Sequence, residues 1–183
     1  MKEVILGLDV STSKIGLSII DYNNNLLICQ VIKLNSNNSL IEKCIELENI
    51  IDNLNGNNYI NNNNKLYIKE IFIESPFMMF SGGKTTAMTM SKLQRFNGMV
   101  SYMVRRTLGV EPVMIAANKA RGLIGLKIKR GENTKLKVIE WVQKEYPKDF
   151  IVEYTRHGNP KPGTDDKADS VVIARAGLSM EKE

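Results

Sequence analysis

Cysteine and histidine are nearly missing from this sequence. Its 183 residues hold two isolated cysteines, Cys29 and Cys44, with no CxxC pair. That excludes a zinc ribbon or a disulfide framework and leaves two free thiols in a reducing compartment as the simpler reading. The one histidine, His157, excludes chemistry that needs two. No apolar run approaches the roughly 18 residues a membrane helix requires. The opening MKEVILGLDV is too short an apolar run, and meets Asp9 too early, for a signal peptide. A soluble, intracellular (cytoplasmic) protein without a membrane partner is expected. Acidic charge is also in deficit: 20 Asp and Glu stand against 25 Lys and Arg, a formal net charge of +5. A moderately basic chain suits a polyanionic partner without requiring one. At 43% hydrophobic residues, the length fits one domain, 1–183, with a proper core.

Strand patterns come first along the chain. Val4 to Val10 is almost continuously apolar, Ile15 to Asp21 follows a short turn, and Leu26 to Leu34 follows the turn Asn23-Asn24-Asn25. Leu40 to Leu54 carries apolar residues at helical spacing, with Ser39 placed to cap it. Twelve asparagines lie between 35 and 64, and 55–64 reads as a polar surface loop. Tyr67 to Ile73 is a buried-type strand ending at Glu74-Ser75-Pro76. A helix is expected from about Thr85 to Leu108, a strand over Val110 to Ala116, and helices over Asn118 to Leu126, Thr134 to Glu145 and Asp166 to Met180. Pro147 stops the second of these three, and the Gly/Pro-rich 155–165 precedes the third. Strands that pair first and then alternate with helices describe an α/β fold.

Four acids occupy positions that ordinary surface acids avoid. Asp9 and Glu74 each end an apolar strand, where a carboxylate must be paired, protonated or bound to a metal because a bare buried charge is costly. Asp166 and Asp169, three apart, share a face of the last helix, and Ala168, Val172, Ile173 and Ala176 form its apolar side. Asp165 is a neighbour able to take the place of Asp166. Singly, each acid has an ordinary explanation: a strand-end Asp caps turns, and acids at a helix start suit its dipole. As a set they point to cation-assisted phosphodiester chemistry, which needs several converging carboxylates.

In order and distance these pieces resemble the RuvC family of Holliday junction resolvases. ILGLDVSTSKIGLSIID is similar to the family's first two strands, IFIESPF to the strand that ends in its second acid, and DDKADSVVIARAG to its closing helix. The stretch GVEPVMIAANKARGLIGLKIKRGENTKLKVIEWV resembles its strand, basic helix and following helix. The likeness covers about 1–34 and 66–180 and leaves the Asn-rich segment unaccounted for. It implies a ribonuclease H-like mixed five-stranded sheet, three antiparallel strands and then parallel ones, flanked by helices. It also implies a metal-dependent endonuclease for branched DNA, with Asp9, Glu74, Asp166 and Asp169 as catalytic residues holding two Mg²⁺ or Mn²⁺ ions. Some relatives carry His at the position of Asp166; here it is acidic. The implied partners are a four-way junction and a second copy of the chain, the homodimer nicking opposing strands symmetrically.

Between Lys119 and Lys148, nine Lys or Arg face three Glu, a net of +6 that exceeds the whole chain's. Lys119, Arg121, Lys127, Lys129, Arg130 and Lys135, with Lys84, are the expected phosphate contacts. Phe77 and Phe80 either stack on bases at a branch point or are buried lid residues. The Met-rich stripe of 85–108 is expected to pack on the sheet and on a dimer mate. Gly82-Gly83-Lys84-Thr85 is not a phosphate-binding loop, because Met78 stands where that motif needs glycine. The Asp9-Val-Ser-Thr-Ser turn is also similar to the start of sugar kinases and actin-like ATPases, but the chain has no room for their second domain. A less selective nuclease for flaps and forks and a non-catalytic DNA-binding relative are the remaining alternatives; retention of all four acids argues against the second.

Overall fold

The computed structural model describes residues 1–54, 60–61, 64–76 and 87–180. Strands β1 (Lys2–Val10), β2 (Lys14–Asp21) and β3 (Leu26–Lys33) form an antiparallel meander. Strand β5 (Asn64–Glu74) then runs parallel to β1, and β6 (Pro112–Ile115) parallel to the end of β5. These five strands, in the order β3-β2-β1-β5-β6, are the mixed sheet expected from the sequence. A sixth, the two-residue β4 (Ile60–Asn61), pairs antiparallel with the start of β5. This corrects the reading of 55–64 as loop throughout: Ile60 and Asn61 fold back on Asn64 and Lys65, a local hairpin that composition does not reveal.

Alternation along β1 assigns its two faces. Val4, Leu6 and Leu8 point to the side covered by α1 (Leu40–Leu54) and α2 (Ala87–Leu108), where they meet Leu47, Ile51, Phe96, Val100 and Val104. Ile5, with Phe72 of β5, points to the other side, against α5 (Thr164–Met180) and the apolar residues Val138, Ile139 and Val142 of α4 (Thr134–Glu145). The short α3 (Ala117–Leu123) packs against α5 as well. Both α1 and α4 have the bounds read from the sequence. Ser39 and Glu42 cap α1 reciprocally, the Glu42 N–H donating to Ser39 Oγ and the Ser39 N–H to Glu42 Oε2.

One expectation needs revision. Helix α5 was expected to have one apolar side, yet Ser170, Val171, Ala174, Gly177 and Leu178 are buried too, because the helix lies between the sheet and α3 and α4. Its small residues permit that. On α2 one face is covered from Phe96 onward, through Val100, Met103 and Val104, while Met88 is 82% and Tyr102 70% exposed. Among the described residues no helix is long and apolar enough to cross a membrane.

Candidate active site

The parallel pairing of β1 and β5 brings Leu8 opposite Ile73, so Asp9 and Glu74, one residue further on, emerge side by side at the strand ends. On its other edge Asp9 pairs with Gly16 of β2. That glycine is required by α5, since a Cβ there would lie 1.9 Å from the Asp166 carbonyl oxygen. Nothing larger would let the first turn of α5 rest on β2. Gly7 serves the next turns similarly, its missing Cβ falling 2.4 Å from the Ser170 carbonyl oxygen. The helix thus lies on the strand backbones, with the Asp166 carbonyl against Gly16 and the carboxylates of Asp169 and Asp166 within electrostatic reach of Asp9.

The electrostatics register this crowding. The Asp9 carboxyl is pushed from its ordinary 3.8 up to about 8, by burial first and then by the charges of Glu74, Asp169, Asp166 and Asp165. Glu74 rises to about 7, by burial and Asp169, with Arg121 pulling the other way. Asp169 rises to about 6, again through burial; Arg121 opposes, Asp165 reinforces, and Lys135 opposes. Asp165 goes downward: burial would raise it, but the Lys135 ammonium bonded to it prevails. Lys14 approaches Asp166 Oδ2 at 3.4 Å. Three carboxyls with raised proton affinity, ringed by three cations, form a site short of positive charge.

Neighbouring elements fix the acids' backbones. The Ser75 N–H donates to the Ile115 carbonyl at 2.9 Å, and the buried Asn97 of α2 donates its amide to the Glu74 carbonyl at 3.1 Å. Asn97 and Lys14 escaped the sequence reading, since an Asn within a Met-rich helix and a Lys after a turn look ordinary. Among the described residues no three His, Cys, Asp or Glu are drawn together tightly enough to hold a metal ion as they stand. The donor set nonetheless fits a hard divalent cation: all carboxylate oxygen, on rigid elements, and mutually repelling.

The expected DNA contacts divide in two. Arg121 is half-buried on α3 and faces Glu74 and Asp169, and Lys135 is held by Asp165, so both belong to the acid site. Lys119, Lys127, Lys129 and Arg130 are exposed. Lys129 and Arg130 share with Arg121, Asn118 and Ile128 an open cleft of about 590 Å³, and Arg121 is the residue it has in common with the acid site. Phe77, Phe80 and Lys84 lie outside the described residues.

No protein-family model matches the sequence, and no curated protein matches it. Solved structures do match. RuvC of T. thermophilus in complex with a Holliday junction substrate superposes with a TM-score of 0.67 at 13% identity, over 98% of this chain and 95% of that one. The chain has the RuvC fold. A second Thermus thermophilus RuvC structure gives 0.63 at 14% identity, over 98% of this chain and 95% of the other. The yeast mitochondrial Holliday junction resolvase Ydc2 gives 0.60 at 14%, over 97% and 78%. At such identities the RuvC likeness speaks for architecture, the ribonuclease H-like sheet with its flanking helices; residue roles have to be argued from the site.

Proposed function

We propose that this chain is a metal-dependent endonuclease for branched DNA that resolves Holliday junctions by paired nicks. The supporting observation is that Asp9 and Glu74, at the ends of two parallel strands, lie within electrostatic reach of Asp169 and Asp166 of α5, with Arg121 between them and a basic cleft. Those four would hold two Mg²⁺ or Mn²⁺ ions. Bound there, the ions supply an activated water and neutralise charge on the leaving oxygen. Arg121, facing Glu74 and Asp169 from α3, limits their repulsion and presents a fixed positive charge where a scissile phosphate would lie. Lys14 and Lys135 do the same for Asp166 and Asp165, the two acids at the start of α5. Both solved relatives named for junctions resolve or bind four-way DNA, and a polyanion suits the cleft beyond Arg121.

Incubating the protein with a four-way junction, a flap and a linear duplex, with and without Mg²⁺, tests the reading. Symmetric nicks confined to the junction and abolished by EDTA support it. Equal cutting of flaps would establish the less selective nuclease instead, and no cutting of any substrate would leave only a binding protein.

Exposed Lys129 and Arg130 contribute to affinity more than to chemistry. Changing both to Ala is expected to weaken junction binding and lower the slope of log K against log salt by about two, near 0.9 per lost phosphate contact. Fluorescence anisotropy across a salt series measures this. An unchanged slope removes the pair from the DNA surface.

A second copy is proposed to cover the groove of about 780 Å³ between α1 and α2, lined by Leu40, Ile41, Met88 and Met99, with Lys92 and Arg95 at its edge. Sedimentation of the free protein at micromolar concentration reads the assembly directly; a monomer throughout would refute it.

A further inference from the structure

Lys43 is the one buried cation among the described residues, only 4% exposed, and its surroundings are unusual. Its ammonium donates to the Thr12 carbonyl at 2.8 Å. Among the described residues no carboxylate pairs with it. Asp21, the other buried charge, is by contrast fully provided for: Lys2 lies at 2.6 Å, the N–H groups of Asn23 and Asn25 donate at 2.9 and 2.8 Å, and the Asn25 amide at 2.8 Å.

Burying an ammonium against one neutral acceptor gives up hydration that a single hydrogen bond does not fully replace. Its place on α1 adds to the cost. Lys43 sits in the first turns of the helix, next to the Ser39–Glu42 cap, where the helix dipole opposes a cation. A Met of similar length would fill the same space without either penalty. Packing and helix formation both argue against Lys here, so its value lies in what it holds.

It holds the turn that joins Asp9 to Lys14. Within that turn, Ser11 Oγ donates to the Lys14 carbonyl at 2.7 Å and accepts from the Lys14 N–H at 3.1 Å. The Leu34 N–H donates to the Ser13 carbonyl at 3.0 Å. These ties come from the sheet and its own ends. The tie to Thr12 comes from α1, on the face opposite α5, so the turn is fixed from both sides of the sheet. On one limb of it stands Asp9; on the other is Lys14, whose ammonium reaches Asp166.

We propose that Lys43 is a positioning residue, which through the Thr12 carbonyl fixes the Ser11–Ser13 turn and with it the places of Asp9 and Lys14 beside Asp166. The proposal rests on the nuclease reading. In the full-length protein, Lys43→Met should leave the melting temperature equal to or above wild type and junction affinity in EDTA unchanged. Single-turnover cleavage should fall by about tenfold or more, as displacements near 1 Å in a reacting constellation do. Lys43→Arg, which keeps a cationic donor, should recover most of that loss. A melting temperature lowered together with the rate would make Lys43 a structural residue and overturn the proposal. So would weakened junction binding, an unchanged rate, or an Arg variant as slow as the Met variant. Failure of the nuclease reading is separately visible, because the wild-type protein would then cut no branched DNA.

Discussion

Asp9→Asn is expected to abolish junction cleavage, by a factor of about a thousand or more, while the variant still binds the junction and, free of metal, melts above wild type at pH 8. Both effects have one origin. Asp9 is surrounded by Glu74, Asp169, Asp166 and Asp165 in a partly buried position, and its carboxyl is held at about 8. Removing its charge deletes a donor for any cation bound there, which ends the chemistry, and relieves repulsion in the metal-free protein, which stabilises it. The basic cleft lined by Lys129 and Arg130 remains, so binding persists.

The pH dependence follows from the direction of the shift. A carboxyl raised on folding takes up a proton that the unfolded chain releases, so its contribution to stability is complete below about 4 and is lost as pH rises through 8. Glu74 and Asp169, at about 7 and 6, act in the same direction over a narrower window. In EDTA the wild-type melting temperature should therefore decline between pH 4 and pH 8, and the advantage of Asp9→Asn should grow over that interval and vanish near pH 4. Thermal denaturation monitored by circular dichroism across the range measures it. A variant that cuts at near wild-type rate would remove Asp9 from the chemistry; one with no stability gain at pH 8 would show that the carboxyls do not crowd each other.

What could be read from the sequence divides along a physical line. Strand periodicity gave β1 to β3 within two residues, and helical spacing with a capping Ser gave α1, because these depend on neighbours along the chain. Asp9 and Glu74 were legible for the same reason: each closes an apolar strand, and the cost of burying an acid is a local argument. The partners of Arg121 and Lys135 were not. Both looked like members of one basic surface, yet the fold turns them toward acids 47 and 30 residues away, Arg121 to Glu74 and Lys135 to Asp165, and leaves Lys129 and Arg130 outside. Lys43 stayed hidden because helical periodicity places it near a buried face without saying what waits there. The burial of α5 on nearly every side was equally illegible, since it depends on what α3 and α4 cover.

Gly16→Ala should be the most damaging single-methyl change outside the acids. A Cβ on Gly16 would stand 1.9 Å from the Asp166 carbonyl oxygen and 2.6 Å from its carbonyl carbon. Both are helix backbone atoms, so no side-chain rotation relieves the contact, and α5 has to move off β2. Such overpacking typically costs about 1–3 kcal/mol and occasionally more; the upper end applies where backbone must give way. Cleavage should suffer beyond stability, falling by about a hundredfold, because the displaced turn carries Asp166 and Asp169 with it. Gly122→Ala in α3 is the control. No atom lies within 4 Å of its Cβ, and an added methyl in a helix with open space is expected to be neutral or mildly stabilising. Urea denaturation and single-turnover cleavage of the two variants side by side test the point. Gly16→Ala as stable and as active as Gly122→Ala would mean that α5 does not rest on the strand backbone, and the placement of its two acids beside Asp9 would fall with it.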